Sequence, residues 1–105
     1  MRGLATLVLV GAICAPAGAQ EIGDAAAGHA FARDLCAECH WVEAAEPETL
    51  NSDIKPFRDI AADPKMTGMA LRAFLRTPHR RMPDFLLSRA ETDDVIAYIL
   101  SLRPR

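Results

Sequence analysis

Two cysteines and a histidine in the run Cys36-Ala37-Glu38-Cys39-His40 constrain this chain more than any other feature. The spacing Cys-x-x-Cys-His is the signature for covalent attachment of haem. Two thiols three positions apart on a short turn can each add to one vinyl group of a haem, and the imidazole that follows can coordinate the iron. The motif therefore predicts one covalently bound haem c, attached through Cys36 and Cys39, with His40 as an axial iron ligand.

Other interpretations of two closely spaced cysteines fit this sequence less well. A structural zinc site needs four ligands, usually as two separated pairs, and neither His29 nor His79 forms a second pair with another cysteine. A thioredoxin-like redox motif needs a βαβ context, and we find no convincing strand pattern in the chain. A disulfide between Cys36 and Cys39 closes a very small loop and gains little stability.

Residues 1–19 have the pattern of a secretory signal peptide. One basic residue, Arg2, precedes a short apolar run, and the segment ends in Ala17-Gly18-Ala19, a small-x-small cleavage site. The apolar run is too short to span a bilayer comfortably, so a retained anchor is the less favoured alternative. We expect cleavage after Ala19, loss of Cys14 with the signal, and a periplasmic domain over residues 20–105 without a membrane span.

Size and charge limit what the expected mature domain can do. One domain of 86 residues is small for a self-sufficient core, so we expect the chain without haem to be poorly folded. Loss of Arg2 leaves 11 basic and 14 acidic side chains, a net charge of −3. An acidic balance disfavours binding to nucleic acid, which needs a basic surface.

The hydrophobic pattern predicts an all-α chain with irregular connections and a loop from Glu43 to Pro56. The first helix is expected to bury one stripe formed by Ala27, Phe31 and Leu35. The last helix is marked by the capping box Ser88-Arg89-Ala90-Glu91. The four predicted segments are about Asp24–Leu35, Phe57–Ala61, a helix that runs from a Thr67 cap to about Arg76, and the helix that follows Ser88.

The sixth ligand of the iron is sought among the methionines that follow the motif. Met82 is favoured, because Pro83 biases it towards an extended backbone in a loop between two helices. Met66 lies near a helix start, and Met69 is expected to fill the core from within a helix. His79 is the other alternative, and ligation by two histidines gives a lower reduction potential.

With these residues in view, the chain resembles the small monohaem class I cytochromes c of bacteria. The likeness rests on the haem motif, on Met82-Pro83-Asp84-Phe85 and on the ending Asp94–Leu100. It implies the cytochrome c fold, in which three to four helices surround one haem and the first and last helices cross. It also implies that His40 and Met82 form the axial pair.

The resemblance makes two further implications about packing. The helix crossing maps to Gly28 or Ala27. A proline carbonyl accepts the second N–H of the axial histidine in such proteins, which implies Pro56, or else Pro47, in this role.

Ligation decides the expected function. If His40 and Met82 fill both axial positions, none is left for a substrate, and the iron can only change its oxidation state. The sequence therefore predicts a monomeric, periplasmic single-electron carrier rather than an enzyme, working between a dehydrogenase donor and an oxidase or reductase acceptor. The alternatives are a haem enzyme or a gas or redox sensor with a labile or absent methionine ligand, and an electron-transfer subunit of a dehydrogenase complex.

Residues outside the motif have several candidate roles. Trp41 either covers the haem, donates to a propionate or packs generically, and His29 is expected at the surface. One hypothesis is a basic docking patch for acidic redox partners near Met82, with propionate neutralisation or a solvated face as the alternatives. That patch comprises Arg72, Arg76, Arg80 and Arg81. The candidate pocket walls are Phe57, Leu71, Phe74, Leu75, Phe85 and Leu86.

Overall fold

The structure is a computed structural model that describes residues 11, 14, 22–46, 53–77, 82–83 and 85–105. Across these residues the chain contains four helices and no strand, which confirms the all-α prediction. The helices are α1 (Ala25–Leu35), α2 (Phe57–Ala62), α3 (Gly68–Arg76) and α4 (Arg89–Ser101). Apart from Gly11 and Cys14, the predicted signal segment lies outside the described residues, as do Pro47, His79, Arg80 and Arg81. Of the helices that the structure describes, none is long and apolar enough to cross a membrane.

Side-chain caps set the starts of three helices. The Asp24 carboxylate accepts hydrogen bonds from the first backbone amides of α1, at 2.8 and 3.2 Å. Thr67 accepts from the Ala70 amide at the start of α3, as its predicted capping role requires. Ser88 and Glu91 exchange reciprocal side-chain to backbone bonds, so the predicted capping box of α4 is confirmed.

Helices α1 and α4 pack closely against each other where Gly28 meets the backbone of Asp94. A Cβ on Gly28 would lie 1.9 Å from the Asp94 carbonyl oxygen, so only glycine permits this approach. The Asp24 amide donates to the Asp94 carboxylate at 2.8 Å, which joins the start of α1 to the first turns of α4. Gly28 is thus the crossing residue, whereas Ala27 is exposed.

The predicted buried stripe of α1 is wrong by one residue. Gly28 and Ala32 are the buried positions of α1, Phe31 is partly buried against the core, and Ala27 faces solvent. A close helix contact requires the smallest residue at the contact itself, and Gly28 provides this opposite Asp94, whereas the predicted stripe begins one residue earlier, at Ala27. The buried face of α1 is therefore formed by its small residues, Gly28 and Ala32.

Helix α4 is the centre of the described fold. Each of α1, α2 and α3 packs against α4, and none of these three packs against another. An ion pair between Arg72 and Asp93 joins α3 to α4. Beyond the end of α4, the Arg103 guanidinium donates to the Ala61 carbonyl at 2.9 Å and to the Met66 carbonyl at 2.7 Å, which fixes the end of α2. The core cluster comprises Ala32, Val42, Phe57, Ala61, Leu71, Val95, Ile96, Tyr98 and Ile99.

Candidate functional site

The Cys-x-x-Cys-His motif forms a hydrogen-bonded turn directly after α1. The Cys36 amide donates to the Ala32 carbonyl at 2.8 Å and so continues the helical pattern. The Cys36 carbonyl then accepts from the amides of Cys39, at 3.2 Å, and His40, at 2.9 Å. The turn therefore places both thiols and the imidazole within one short loop, and the two cysteines form no disulfide with each other.

The two thiols lie in different surroundings. Cys36 is partly buried against the core, and this burial raises the pKa of its thiol to about 11. Cys39 is exposed. At neutral pH the Cys36 sulfur is uncharged in the fold, and a thioether sulfur is also uncharged, so both forms suit the apolar site.

The His40 imidazole is oriented by a backbone carbonyl from a distant part of the chain. Its Nδ1 lies 2.8 Å from the carbonyl oxygen of Lys55. Because a carbonyl can only accept, Nδ1 carries the proton and the Nε2 lone pair is available to a metal. This is the arrangement that ligating histidines show, so the donor set fits a haem iron.

The assignment of the orienting carbonyl to Pro56 is wrong by one residue. The Pro56 carbonyl accepts from the amides of Asp59 and Ile60, both at 3.1 Å, in the first turn of α2. Lys55 lies before that helix, so its carbonyl is not used by the helix and can accept from His40. The less favoured alternative, Pro47, lies outside the described residues.

The segment from His40 to Glu43, here called the post-motif segment, is held at every residue by another part of the fold. The Trp41 carbonyl accepts from the amide of Phe57 at 2.9 Å. The Val42 carbonyl accepts from the Tyr98 hydroxyl at 2.5 Å, and the Glu43 carboxylate bonds His29 Nε2 at 3.0 Å. Sequence reasoning missed these partners, because no local pattern marks them.

Two residues near the motif make contacts that the sequence does not predict. The His29 side chain is 35% exposed, in keeping with its expected place at the surface, but its ring stacks on Tyr98 with centroids 4.6 Å apart and its Nε2 bonds Glu43. Its position on α1 brings it over the buried face of α4. The indole N–H of Trp41 donates to the Ala45 carbonyl at 2.8 Å, so in this structure the donor is used within its own loop.

The methionines occupy distinct environments. Met82 is half-buried and lies outside the helices, directly before Pro83. Met66 packs partly against the core, and its carbonyl is bound by Arg103. Met69 is 83% exposed, so the expectation that it fills the core is wrong, because it lies on the outward face of α3.

The six candidate pocket walls differ in burial. Phe57 and Leu71 belong to the core cluster, and Leu75 packs partly against it. Phe74 and Leu86 are exposed, at 48% and 96%. Phe85 is half-buried.

The proposed basic patch loses one member. Arg72 forms its ion pair with Asp93, which neutralises it within the fold. Arg76 is exposed at the end of α3, while Arg80 and Arg81 lie outside the described residues. The docking hypothesis therefore depends on Arg76, Arg80 and Arg81.

Comparison with known proteins decides what this site belongs to. The family model for cytochrome c matches residues 25–103, which include the motif, the post-motif segment and all four helices. The chain belongs to the cytochrome c family. It is 38% identical over 104 residues to cytochrome c-552 of Bradyrhizobium diazoefficiens, an alignment that covers 99% of this chain and 96% of that protein. No solved structure gives a significant match.

Membership confirms several predictions at once. A small class I cytochrome c, an all-helical fold and covalently attached haem c were each expected from the sequence, and the family match supports each of them. Cys36 and Cys39 supply the attachment motif of the family. The chain is therefore an electron carrier with haem c.

Proposed function

We propose that this chain is a periplasmic single-electron carrier whose haem is attached to Cys36 and Cys39 and whose iron is bound by His40 and Met82. The observation that carries the proposal is the hydrogen bond from His40 Nδ1 to the Lys55 carbonyl. That bond fixes the tautomer with its lone pair on Nε2 and holds the ring in one orientation. An imidazole held in this way is a suitable axial ligand.

The residues around the iron have separate tasks. Bound haem supplies an iron that cycles between the ferrous and ferric states. His40 provides the nitrogen ligand, and the Met82 thioether favours the ferrous state, which raises the reduction potential relative to two histidines. With His40 and Met82 both holding the iron, no position would be left for a substrate.

The location and partners follow from the leader pattern and the family. Residues 1–19 resemble a secretory signal, and the relative with 38% identity is a bacterial cytochrome c-552. We propose that the signal is cleaved and that residues 20–105 act as a monomer in the periplasm. Its partners are redox proteins there, a dehydrogenase as donor and an oxidase or reductase as acceptor.

A Met82→Ala variant tests the ligand set. The ferric absorption band at the red end of the visible spectrum that marks an iron–thioether bond should be present in the wild type and absent from this variant. Met69→Leu is the matched control, since Met69 is largely exposed on α3, and it should keep the band. Reduced wild type should show no spectral change on addition of carbon monoxide, while reduced Met82→Ala should bind it.

Two outcomes would contradict the proposal. Retention of the band in Met82→Ala would show that another residue ligates the iron. Rapid carbon monoxide binding by the wild type would favour a haem enzyme or sensor with a labile methionine instead.

Mass spectrometry of the exported protein should first show one added haem mass and loss of residues 1–19.

A further inference from the structure

The hydroxyl of Tyr98 reaches the post-motif segment from the opposite end of the chain. Tyr98 lies on α4, is only 7% exposed, and donates to the Val42 carbonyl at 2.5 Å. Val42 is 3% exposed, so its carbonyl lies in a region poor in water. A buried carbonyl that loses its donor is left without a hydrogen-bond partner, which is unfavourable in the folded state. The bond therefore fixes the backbone two residues after His40.

The Tyr98 ring also reaches His40 through Phe57. The rings of Phe57 and His40 have centroids 5.3 Å apart, and those of Phe57 and Tyr98 are 6.4 Å apart. Phe57 is buried, and its amide binds the Trp41 carbonyl, so it contacts the post-motif segment with both ring and backbone. Two chains of contacts thus join Tyr98 to His40, one through the Val42 backbone and one through the Phe57 ring.

We propose that Tyr98 is a positioning residue for the iron ligand His40, and this inference rests on the proposed function because it requires His40 to bind the iron. Helix α4 is the element on which the other three helices pack. A ligand whose backbone and neighbouring ring are held by a residue of α4 is therefore attached to the central helix of the described fold. By holding Val42 and Phe57, Tyr98 keeps His40 within reach of the Lys55 carbonyl and keeps its ring orientation constant.

A purely structural role for Tyr98 predicts a different result from a positioning role. If the side chain only fills the core, Tyr98→Phe keeps the ring, and any change in hydrogen-exchange rates should be the same at all amides of the fold. If Tyr98 positions His40, loss of the hydroxyl loosens the post-motif segment in particular. The sensitive groups are then the His40 Nδ1–H, which binds Lys55, and the Phe57 amide, which binds Trp41.

Hydrogen exchange in the ferrous holoprotein, followed by NMR, separates these possibilities. In Tyr98→Phe, we expect the His40 Nδ1–H and the Phe57 amide to exchange about tenfold faster relative to the Leu71 amide, which bonds Thr67 within α3. The reduction potential should shift as well, because the histidine ligand is held less firmly.

Ser101→Ala is the matched control, because it removes another hydroxyl bond of α4, to the Tyr98 carbonyl, without contact to the post-motif segment. It should leave the relative exchange rates and the potential unchanged.

The outcomes distinguish failure of this inference from failure of the proposed function. In the ferric wild type, strongly shifted NMR signals from the His40 ring identify it as an iron ligand, and their absence overturns both proposals. If those signals are present but Tyr98→Phe leaves exchange and potential as in the wild type, the positioning role is wrong and the ligand assignment stands.

A second variant tests the ring route independently of the hydroxyl. Phe57→Leu keeps an apolar side chain but removes the ring between Tyr98 and His40. It should move the shifted His40 signals while the Leu71 amide keeps its exchange rate. If Tyr98→Phe yields no holoprotein, this variant decides, and unmoved His40 signals would then overturn the inference.

Discussion

At the scale of single residues, the hydrogen bond between His40 and Lys55 sets the properties of the site. Donation from Nδ1 to a carbonyl fixes the ring and leaves the Nε2 lone pair available to a metal. Lys55 precedes Pro56, and a residue before proline avoids the helical region. Its carbonyl therefore lies outside the hydrogen bonding of α2 and is available to the imidazole.

Gly28 gives a prediction at the same scale. In Gly28→Ala the new methyl group would lie 1.9 Å from the Asp94 carbonyl, so α1 and α4 must separate. Overpacking of this kind costs about 1–3 kcal/mol and outweighs the gain in helix propensity of about 1 kcal/mol. Urea denaturation of the holoprotein should show a lower midpoint. Ala27→Ser, at the exposed neighbouring position, is the control and should change stability by less than about 0.5 kcal/mol. A Gly28→Ala protein as stable as the wild type would show that the crossing is not tight.

At the scale of elements, the helices begin in two different ways. α1, α3 and α4 start with side chains that accept from backbone amides, which satisfies donors that a helix start leaves unpaired. The N-cap residue of α2 is Pro56, which makes no side-chain bond, and the helix spans only six residues. The Phe57 amide and the Arg103 guanidinium hold its two ends instead. α2 is therefore stabilised by tertiary contacts.

The capping box of α4 gives the prediction at this scale. Ser88→Ala removes the acceptor of the Glu91 amide and should lower the free energy of unfolding by about 1 kcal/mol. The Ser88 backbone N–H bonds the Glu91 carboxylate, and this bond, with a smaller contribution from the Ser88 side chain, lowers the pKa of Glu91. Ser88→Asp keeps an accepting side chain and should remain close to the wild type. Chemical denaturation followed by far-UV circular dichroism measures both variants, and equal loss in the two would exclude the capping explanation.

At the scale of the whole molecule, the described helices share one centre. α1, α2 and α3 pack on α4 and not on one another, so the protein core that the structure describes depends on one helix. A domain this small buries less of its surface than a larger one and usually needs a cofactor or crosslink. We therefore expect covalent haem to contribute to the stability of the fold as well as to electron transfer.

Haem removal tests this dependence. A Cys36→Ala/Cys39→Ala protein prepared without haem should lose much of its helical far-UV circular dichroism at 25 °C, because the remaining contacts do not offset the entropy of ordering the chain. The holoprotein at equal concentration and temperature is the reference. Full native helicity in the haem-free chain would show that the protein core suffices by itself.

The sequence by itself determined the features that depend on adjacent or closely spaced residues. The haem motif, the all-helical pattern and the caps at Thr67 and Ser88 could be predicted because their chemistry lies within a few positions. Tertiary structure decided the partners of the post-motif segment, since Lys55 is 15 residues from His40 and Tyr98 is 56 residues from Val42. It also decided that Gly28, and not Ala27, is the crossing residue, because the distance between two helices depends on both of them and cannot be deduced from the sequence of either one.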